Sequence, residues 1–517
     1  MMNNGQCDSR CRVYSPFIVL MMLFIVSGCV SNAAHRVSPS PDRPWVPRDE
    51  DKTVLWSLAG SDESQPTPTH VIPDFIIPEN PARAQFRKNE FIDSEQRYGL
   101  PELIDLAQRT NPETRAAWQR ARQAAIAVGM VESTYLPFIA ASVVGGSQTV
   151  TVPLPEIFGQ RHIDNTEQGS AQILSLQWLL FDFGQRKALT MEGQQVAVAA
   201  NILFNGTHQK LIFDVSQAYY GYGAAIQRRS FAEKALHNAQ DIQAAVTARA
   251  AQGLATTMDI AQARQAVAQA KFRRVQAIGD ERTAYYHLLA IVGVNRELNV
   301  DAANITQNPL PEPIDTPIDS LIHQALSQRP DVAASYAALQ ASKAGVDAAQ
   351  AGYLPKVYLG ASASWGSGNF DISGLPSISQ QGSGNSVLLG ITVPIYDGGL
   401  RSARVTEAKS RSEAAEDEFQ RVQNAAVAEI IAAHNALRTA HEAYHAATEL
   451  VAAALITYEA AIAAYRNDIG TIDAITAADT ALLDARQAQG DAHVATLISS
   501  VNLAFIMGKL TSRESLP

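Results

Sequence analysis

From Leu400 to Ile469 the chain runs without a glycine or a proline. As an α-helix, at 1.5 Å per residue, such a stretch spans roughly 100 Å, several times the usual globular helix. It follows directly on Ile391-Thr-Val-Pro-Ile-Tyr-Asp-Gly-Gly399, an alternating segment that ends in an aromatic, an acid and glycine. The same arrangement stands at Leu176-Gln-Trp-Leu-Leu-Phe-Asp-Phe-Gly184, again ahead of a long Ala-rich segment. Asp182 and Asp397 sit where a side-chain oxygen can cap the first free N–H groups of a helix, and Gly184 and Gly399 close each junction. A short strand joined to a rod of that length suits an object that crosses a membrane and reaches far from it.

The junction belongs to an internal repeat. Leu136-Pro137 recurs as Leu354-Pro355, at an offset of 218, whereas Asp182 recurs as Asp397 and Gly293 as Gly508, each at an offset of 215. The difference between the two offsets falls in a loop between the first strand and the junction. The expected organisation is a signal over residues 1–28, an extended proline-rich segment over 29–97, one repeat over 98–295, a linker over 296–317 carrying four prolines, a second repeat over 318–510, and a tail over 511–517.

At the N-terminus Arg10 and Arg12 precede the apolar run Val13–Val26, which reads as a secretory signal. It ends Val26-Ser-Gly-Cys29, which resembles the lipobox of bacterial lipoproteins; that resemblance makes Cys29 the expected attachment point of diacylglycerol and palmitate, and the following Val30 resembles outer-membrane lipoproteins. Cys7 and Cys11 leave with the signal, so the mature chain keeps one cysteine and no internal disulfide. Residues 30–97 hold nine prolines without a sustained period and are either disordered or laid against the remainder. A net charge of −10 excludes a nucleic-acid partner, which needs a basic face. No mature segment has 18 consecutive apolar residues, so no transmembrane helix is expected.

Each repeat opens with short helices broken at Asn111-Pro112-Glu113 or Arg329-Pro330-Asp331 and ending at Tyr135-Leu-Pro137 or Tyr353-Leu-Pro355. Strands follow. Leu174, Leu176, Trp178 and Leu180 share one expected face, as do Leu389, Ile391, Val393 and Ile395, with small or polar residues between them. With aromatics at the strand ends this is the pattern of a lipid-facing barrel strand, although a soluble sandwich shows the same alternation. Earlier strands are expected near Phe138–Val144 and Lys356–Trp365, with loops at Thr151–Ser170 and Gly366–Gly384. The long helices turn at Gln252-Gly253-Leu254 and Arg466-Asn467-Asp468, where Gly253 and Asn467 both tolerate a left-handed backbone.

Four strands cannot close a barrel, because the smallest transmembrane barrels have eight, and an open edge in lipid leaves backbone groups unpaired. More than one copy is therefore required. Tyr135-Leu-Pro137 and its copy, Phe181-Asp-Phe-Gly184 with Tyr396-Asp-Gly-Gly-Leu-Arg401, and Gly253…Met258-Asp259 echoed by Asn467…Ile472-Asp473 together resemble the outer-membrane efflux proteins of the TolC type. The resemblance implies a mainly α homotrimer: a twelve-stranded outer-membrane β-barrel, four strands per chain, continued by a helical tunnel in the periplasm. It also implies an exit duct for drugs or other toxic small molecules, served by an inner-membrane pump and a periplasmic adaptor, with a protein-secretion duct as the alternative and no cofactor. It places adaptor docking at the far-end turns, here Gly253, Leu254, Asp259, Asn467 and Ile469. It further implies a gate at Asp473, with Thr476 where a second acid is frequent. A first-turn acid also suits the helix dipole alone, and Asp259 is taken as its counterpart in the first repeat.

One motif points elsewhere. His441-Glu442-Ala-Tyr-His445 fits the H-E-x-x-H pattern of zinc hydrolases, with His434 one heptad earlier. It lies inside the long helix, its counterpart Gln227-Arg-Arg-Ser-Phe231 has none of these groups, and no nucleophile triad or phosphate loop accompanies it; the expectation is a solvated helix and no enzyme. A purely structural envelope tether without a pore is the remaining class.

Overall fold

The computed structural model describes residues 40, 42–43, 96–153, 162–303, 305, 309–312, 316–372, 376–467 and 469–511. Cys29 and the signal lie outside the described residues, as does most of the proline-rich segment. The first repeat comprises β1 (Arg97–Tyr98), α1 (Leu100–Thr110), α2 (Pro112–Ser133), β2 (Phe138–Pro153), β3 (His162–Phe181), α3 (Gln185–Ala251) and α4 (Thr257–Val292). After β4 (Asn299–Val300) the second repeat supplies α5 (Ile318–Gln328), α6 (Pro330–Ala351), β5 (Lys356–Ile372), β6 (Ile378–Thr392), α7 (Leu400–Arg466) and α8 (Ile472–Ile506).

The helices α3 and α7, 67 residues each, run roughly 100 Å and are the two continuous members of a wall. Nearest the sheet the wall is ordered α2, α3, α6, α7; farther away it is ordered α4, α3, α8, α7. The shorter helices meet end to end between these two storeys. Thr110 Oγ1 donates to Val292 O at 2.7 Å and Asn111 Nδ2 to Ile291 O at 2.9 Å, so the corner between α1 and α2 satisfies carbonyls left free at the end of α4. In the second copy Arg329 Nη1 reaches Ile506 O at 3.4 Å, and its guanidinium pairs with Asp331 and Glu429, each at 2.6 Å.

The main apolar core lies at this joint, where Leu103 and Ile104 of α1 pack with Val215 and Tyr220 of α3 and Leu288 and Val292 of α4. Leu321, Ala325, Ile430, Leu503 and Met507 build the smaller second copy. Elsewhere the seams are narrow and Ala-rich, as where Ala199 meets Ala334 and Ala337; small side chains let neighbouring helices lie close. The stretch expected as a linker takes part in the core: Leu298, Ala302 and Ile305 are buried, and β4 pairs in parallel with β1.

The four long strands form one antiparallel sheet in the order β2-β3-β5-β6. Register places Ile139, Leu176, Ala361 and Val387 in one row, and Trp178, Leu359 and Leu389 in the next row toward the helices. The opposite face carries Ala140, Ser175, Ser362 and Ser386, the last two hydroxyls lying 2.9 Å apart. Opposed residues share a face, so one side of the sheet carries the continuous apolar rows, while the other is mainly alanine, glycine and serine with Ile173, Tyr358 and Leu388 among them. The apolar band runs from the Phe181–Val357–Ile391 row to the Val143–Gln172–Trp365 row. Eight residues along β5 separate those rows, roughly 27 Å along the strand, close to the ~25 Å apolar band of outer-membrane barrels. Beyond it Gly145, Ser170, Ser367 and Gln381 begin a polar stretch on the same face.

Several expectations are corrected here. The loops expected at Thr151–Ser170 and Gly366–Gly384 are largely strand, because β3 begins at His162, β5 runs to Ile372 and β6 begins at Ile378. Leu180 leaves the face shared by Leu174, Leu176 and Trp178: a register shift between Leu179 and Phe181 puts Phe181 opposite Val357 instead. Val393 and Ile395 lie past the end of β6 at Thr392. By composition a window of α7 (mean hydropathy 1.4) is apolar enough to cross a bilayer, yet only 11% of that window is buried within the chain.

Candidate functional site

Each strand-to-helix junction is an acid clasped by the arginine four positions on. Asp182 accepts from the backbone N–H of Arg186 at 2.9 Å and from its Nε at 2.9 Å, and from Gly184 N at 3.4 Å. Arg186 then donates Nη1 to Leu179 O at 2.8 Å and to Thr134 O at 2.9 Å, and Nη2 to Leu180 O at 3.2 Å. Leu180 is the residue at the register shift and Thr134 caps the end of α2, so one guanidinium takes up carbonyls from both the strand and the preceding helix. The guanidinium lies 4.5 Å over the ring of Tyr135. The second copy repeats the device: Asp397 accepts from Arg401 N at 3.0 Å and Nε at 2.6 Å, Arg401 Nη1 donates to Pro394 O at 2.6 Å, and its guanidinium lies 5.1 Å over Tyr353. Arg401 holds the Asp397 carboxyl below the usual carboxylate range. Gly184 (φ 101°) and Gly399 (φ 90°) stand as the left-handed residues before the helices. Sequence reasoning picked out the two acids; it missed Arg186, Arg401, Tyr135 and Tyr353 as their partners, although the Asp-x-x-x-Arg spacing recurs in both repeats.

At the far end the two turns lie side by side. Arg249, in the last turn of α3, donates to Tyr465 O at 3.0 Å and lies 4.7 Å over the Tyr465 ring at the end of α7. Leu254 and Ile469 are 59% and 83% exposed, so the tip presents apolar side chains to solvent. Leu254 N donates to Arg249 O, and Ile469 N donates to Ala464 O; these bonds superpose at the offset that relates the two junctions. Gly253 (φ 75°) therefore matches position 468, outside the described residues, and not Asn467, whose φ of −99° is not left-handed. Gly470 is needed for space, because a Cβ there would stand 2.8 Å from Tyr465 N.

The same offset separates the two acids that follow. Thr256 matches Thr471, so Asp259 matches Ala474, and Asp473 matches Met258. Asp259 closes a capping box: it accepts from Thr256 N at 2.6 Å and Thr256 Oγ1 at 2.8 Å, while its own N–H donates to Thr256 Oγ1 at 3.2 Å. These bonds hold its carboxyl below the usual range. In α8 the Thr471 hydroxyl accepts from Ala474 N, and the Asp473 side chain is exposed without a capping role. Asp473 and Thr476 line a groove of about 670 Å³ between α4 and α8, with Gln262, Gln269 and Asp484 and a floor of α3 alanines. The Thr476 hydroxyl is turned back onto its own helix, donating to Ile472 O at 3.0 Å and Asp473 O at 3.1 Å. Along the same groove, burial pushes the Asp479 carboxyl up from its usual range, while the Asn238 amide donates to it at 2.9 Å.

The H-E-x-x-H residues do not converge. His441 is buried at the α7 surface, Glu442 is exposed and 4.0 Å from Arg438, and His445 is exposed. Tyr444 packs edge-on against His445 and against His493 of α8. Among the described residues no three His, Cys, Asp or Glu are grouped to hold a metal.

Comparison with protein families matches residues 103–294 and 321–509 to the family described as outer membrane efflux protein. The chain is 28% identical to protein CyaE of Bordetella pertussis over 348 residues, 66% of this chain and 70% of that one. It is 28% identical to outer membrane protein OprJ of Pseudomonas aeruginosa over 263 residues, 50% of this chain and about half (53%) of OprJ's length. Among solved structures, that of CusC superposes with a TM-score of 0.67 at 19% identity, covering 85% of this chain and 99% of CusC.

Proposed function

The chain belongs to the outer membrane efflux protein family, and we propose that three copies of it form the exit duct of a tripartite efflux system for drugs or other toxic small molecules. The observation that carries this reading is the four-stranded sheet, with continuous apolar rows on one face and a mixed, serine- and glycine-rich opposite face, joined through two clasped junctions to helices of roughly 100 Å. Its edge strands β2 and β6 need partners, and three copies would supply twelve strands. The uncovered apolar window of α7 supports packing against a neighbouring copy along the wall. The inner face between the junctions and the polar stretch offers serine, glycine and glutamine interspersed with Ile173, Tyr358 and Leu388, a mixed lining that suits passage of chemically varied solutes.

The exposed Leu254 and Ile469, with Gly253, Asp259 and Asn467 around them, would meet the periplasmic adaptor that links the duct to its inner-membrane pump. Asp473, three copies of which would face one axis, would form the gate. Cys29 would carry the lipid anchor. Planar-bilayer recording from the purified oligomer tests the duct: discrete conductance steps from a three-copy assembly are expected, and absence of conductance at every voltage and ionic condition would leave a tether without a pore.

A further inference from the structure

Among the described residues, Phe183 is the one non-glycine residue with positive φ, at 51°. A side chain crowds the following carbonyl in this conformation, which is why glycine ordinarily occupies it. The chain contains its own control: in the second repeat the equivalent position is Gly398, with φ 68°. The second junction makes the same turn, and the same acid–arginine clasp, without a side chain at that place. The phenyl ring at 183 is therefore not required by the turn, and it is not part of the core, being 53% exposed.

Its surroundings say what the ring meets. Phe183 packs edge-to-face on Phe181, with centroids 5.9 Å apart, and Phe181 is itself 62% exposed. Phe181 lies in the Val357–Ile391 row, the last row of the apolar sheet face before the helices begin. Two exposed rings thus continue the lipid-facing band at its helix-side rim, the depth at which aromatic side chains concentrate in membrane proteins.

We propose that Phe183 is a membrane anchor, its ring seated at the acyl–headgroup boundary of the leaflet nearest the helices, where it fixes the depth of the barrel. The strained backbone is retained because the ring is gained. The proposal rests on the reading of the sheet as part of a bilayer-spanning barrel, and its test separates the two. The full-length oligomer is reconstituted into phosphatidylcholine vesicles brominated either near the headgroup or near the chain ends, and tryptophan emission is compared between wild type and Phe183→Trp. The substitution is expected to add blue-shifted emission that headgroup-near bromine quenches more strongly than deep bromine. Trp178 and Trp365, in the band itself, report insertion: quenching of the wild-type emission alongside unquenched, water-like added emission overturns the anchor and leaves the barrel standing, whereas no quenching of either removes both. Phe183→Gly relieves the strained turn, so its oligomer is expected to persist in detergent while the balance of shallow to deep quenching at Trp178 shifts; an unchanged balance also overturns the anchor.

Discussion

At the scale of single residues, Arg186 and Arg401 show how one side chain can serve two structures at once. Each holds the acid that caps a long helix while its remaining donors satisfy carbonyls at the end of a strand. The sequence exposes the acids, because an acid followed by glycine before an Ala-rich run has a local meaning. It hides the arginines' partners, because a carbonyl accepting from a guanidinium leaves no mark in the residue types. Asp259 and Asp473 carry the same lesson in reverse. Both sit near the start of a helix and read alike as letters, yet Asp259 is bound into a capping box and Asp473 is not. Removing the cap by Thr256→Ala is expected to cost about 1 kcal/mol of stability, read as a lower unfolding temperature, and Asp259→Ala to lower it likewise, both with unchanged conductance. Asp473→Ala is expected to leave the unfolding temperature in place, raise single-channel conductance and weaken block by divalent cations, since three carboxylates near one axis repel each other and attract cations. Equal behaviour of Asp259→Ala and Asp473→Ala in bilayer recordings would remove the gate from Asp473.

At the scale of elements, helix period and breaker spacing made the long rods and their turns legible, the end of α7 at Arg466 falling on the first residue of the expected turn. The sheet was half legible. The apolar rows near the junctions alternate as strands must, but the outer halves of β3, β5 and β6 are mostly polar residues and glycine, a composition that locally spells loop. Only pairing with neighbouring strands makes them strands, and pairing is a long-range property. The turns illustrate a subtler failure: Asn467 and Gly253 match by residue preference, whereas hydrogen bonds align Gly253 with position 468. Bulky polar replacements at the tip, Leu254→Arg or Ile469→Arg, are expected to abolish efflux in cells without reducing the yield of oligomer, because both side chains point away from the packed wall. Cross-linking that maps the adaptor only to the sheet end would contradict that placement.

At the scale of the whole molecule, the proposed lipid at Cys29 and the barrel would be separable holds on the same membrane. Cys29→Ser is expected to block lipoprotein processing, which mass spectrometry of the mature N-terminus reads directly; the barrel should still insert, since its apolar band buries far more area than acyl chains do. An unmodified Cys29 in the mature wild-type protein would withdraw the lipid attachment. The wall itself has an uneven mechanical make-up. Of the four helices abreast in each chain, α3 and α7 pass unbroken from sheet to tip, while the other two columns are each two rods butted end to end at one common height. Tension along the duct is carried by two covalent cables per chain, straight into the arginine clasps. At that height half of the columns are discontinuous, and the two apolar cores packed around the joint, with the end-to-end hydrogen bonds, supply the hold that a covalent backbone gives elsewhere. The conduit is thus a shaft whose unbroken members run its full length and whose spliced members are bound by a collar at its waist.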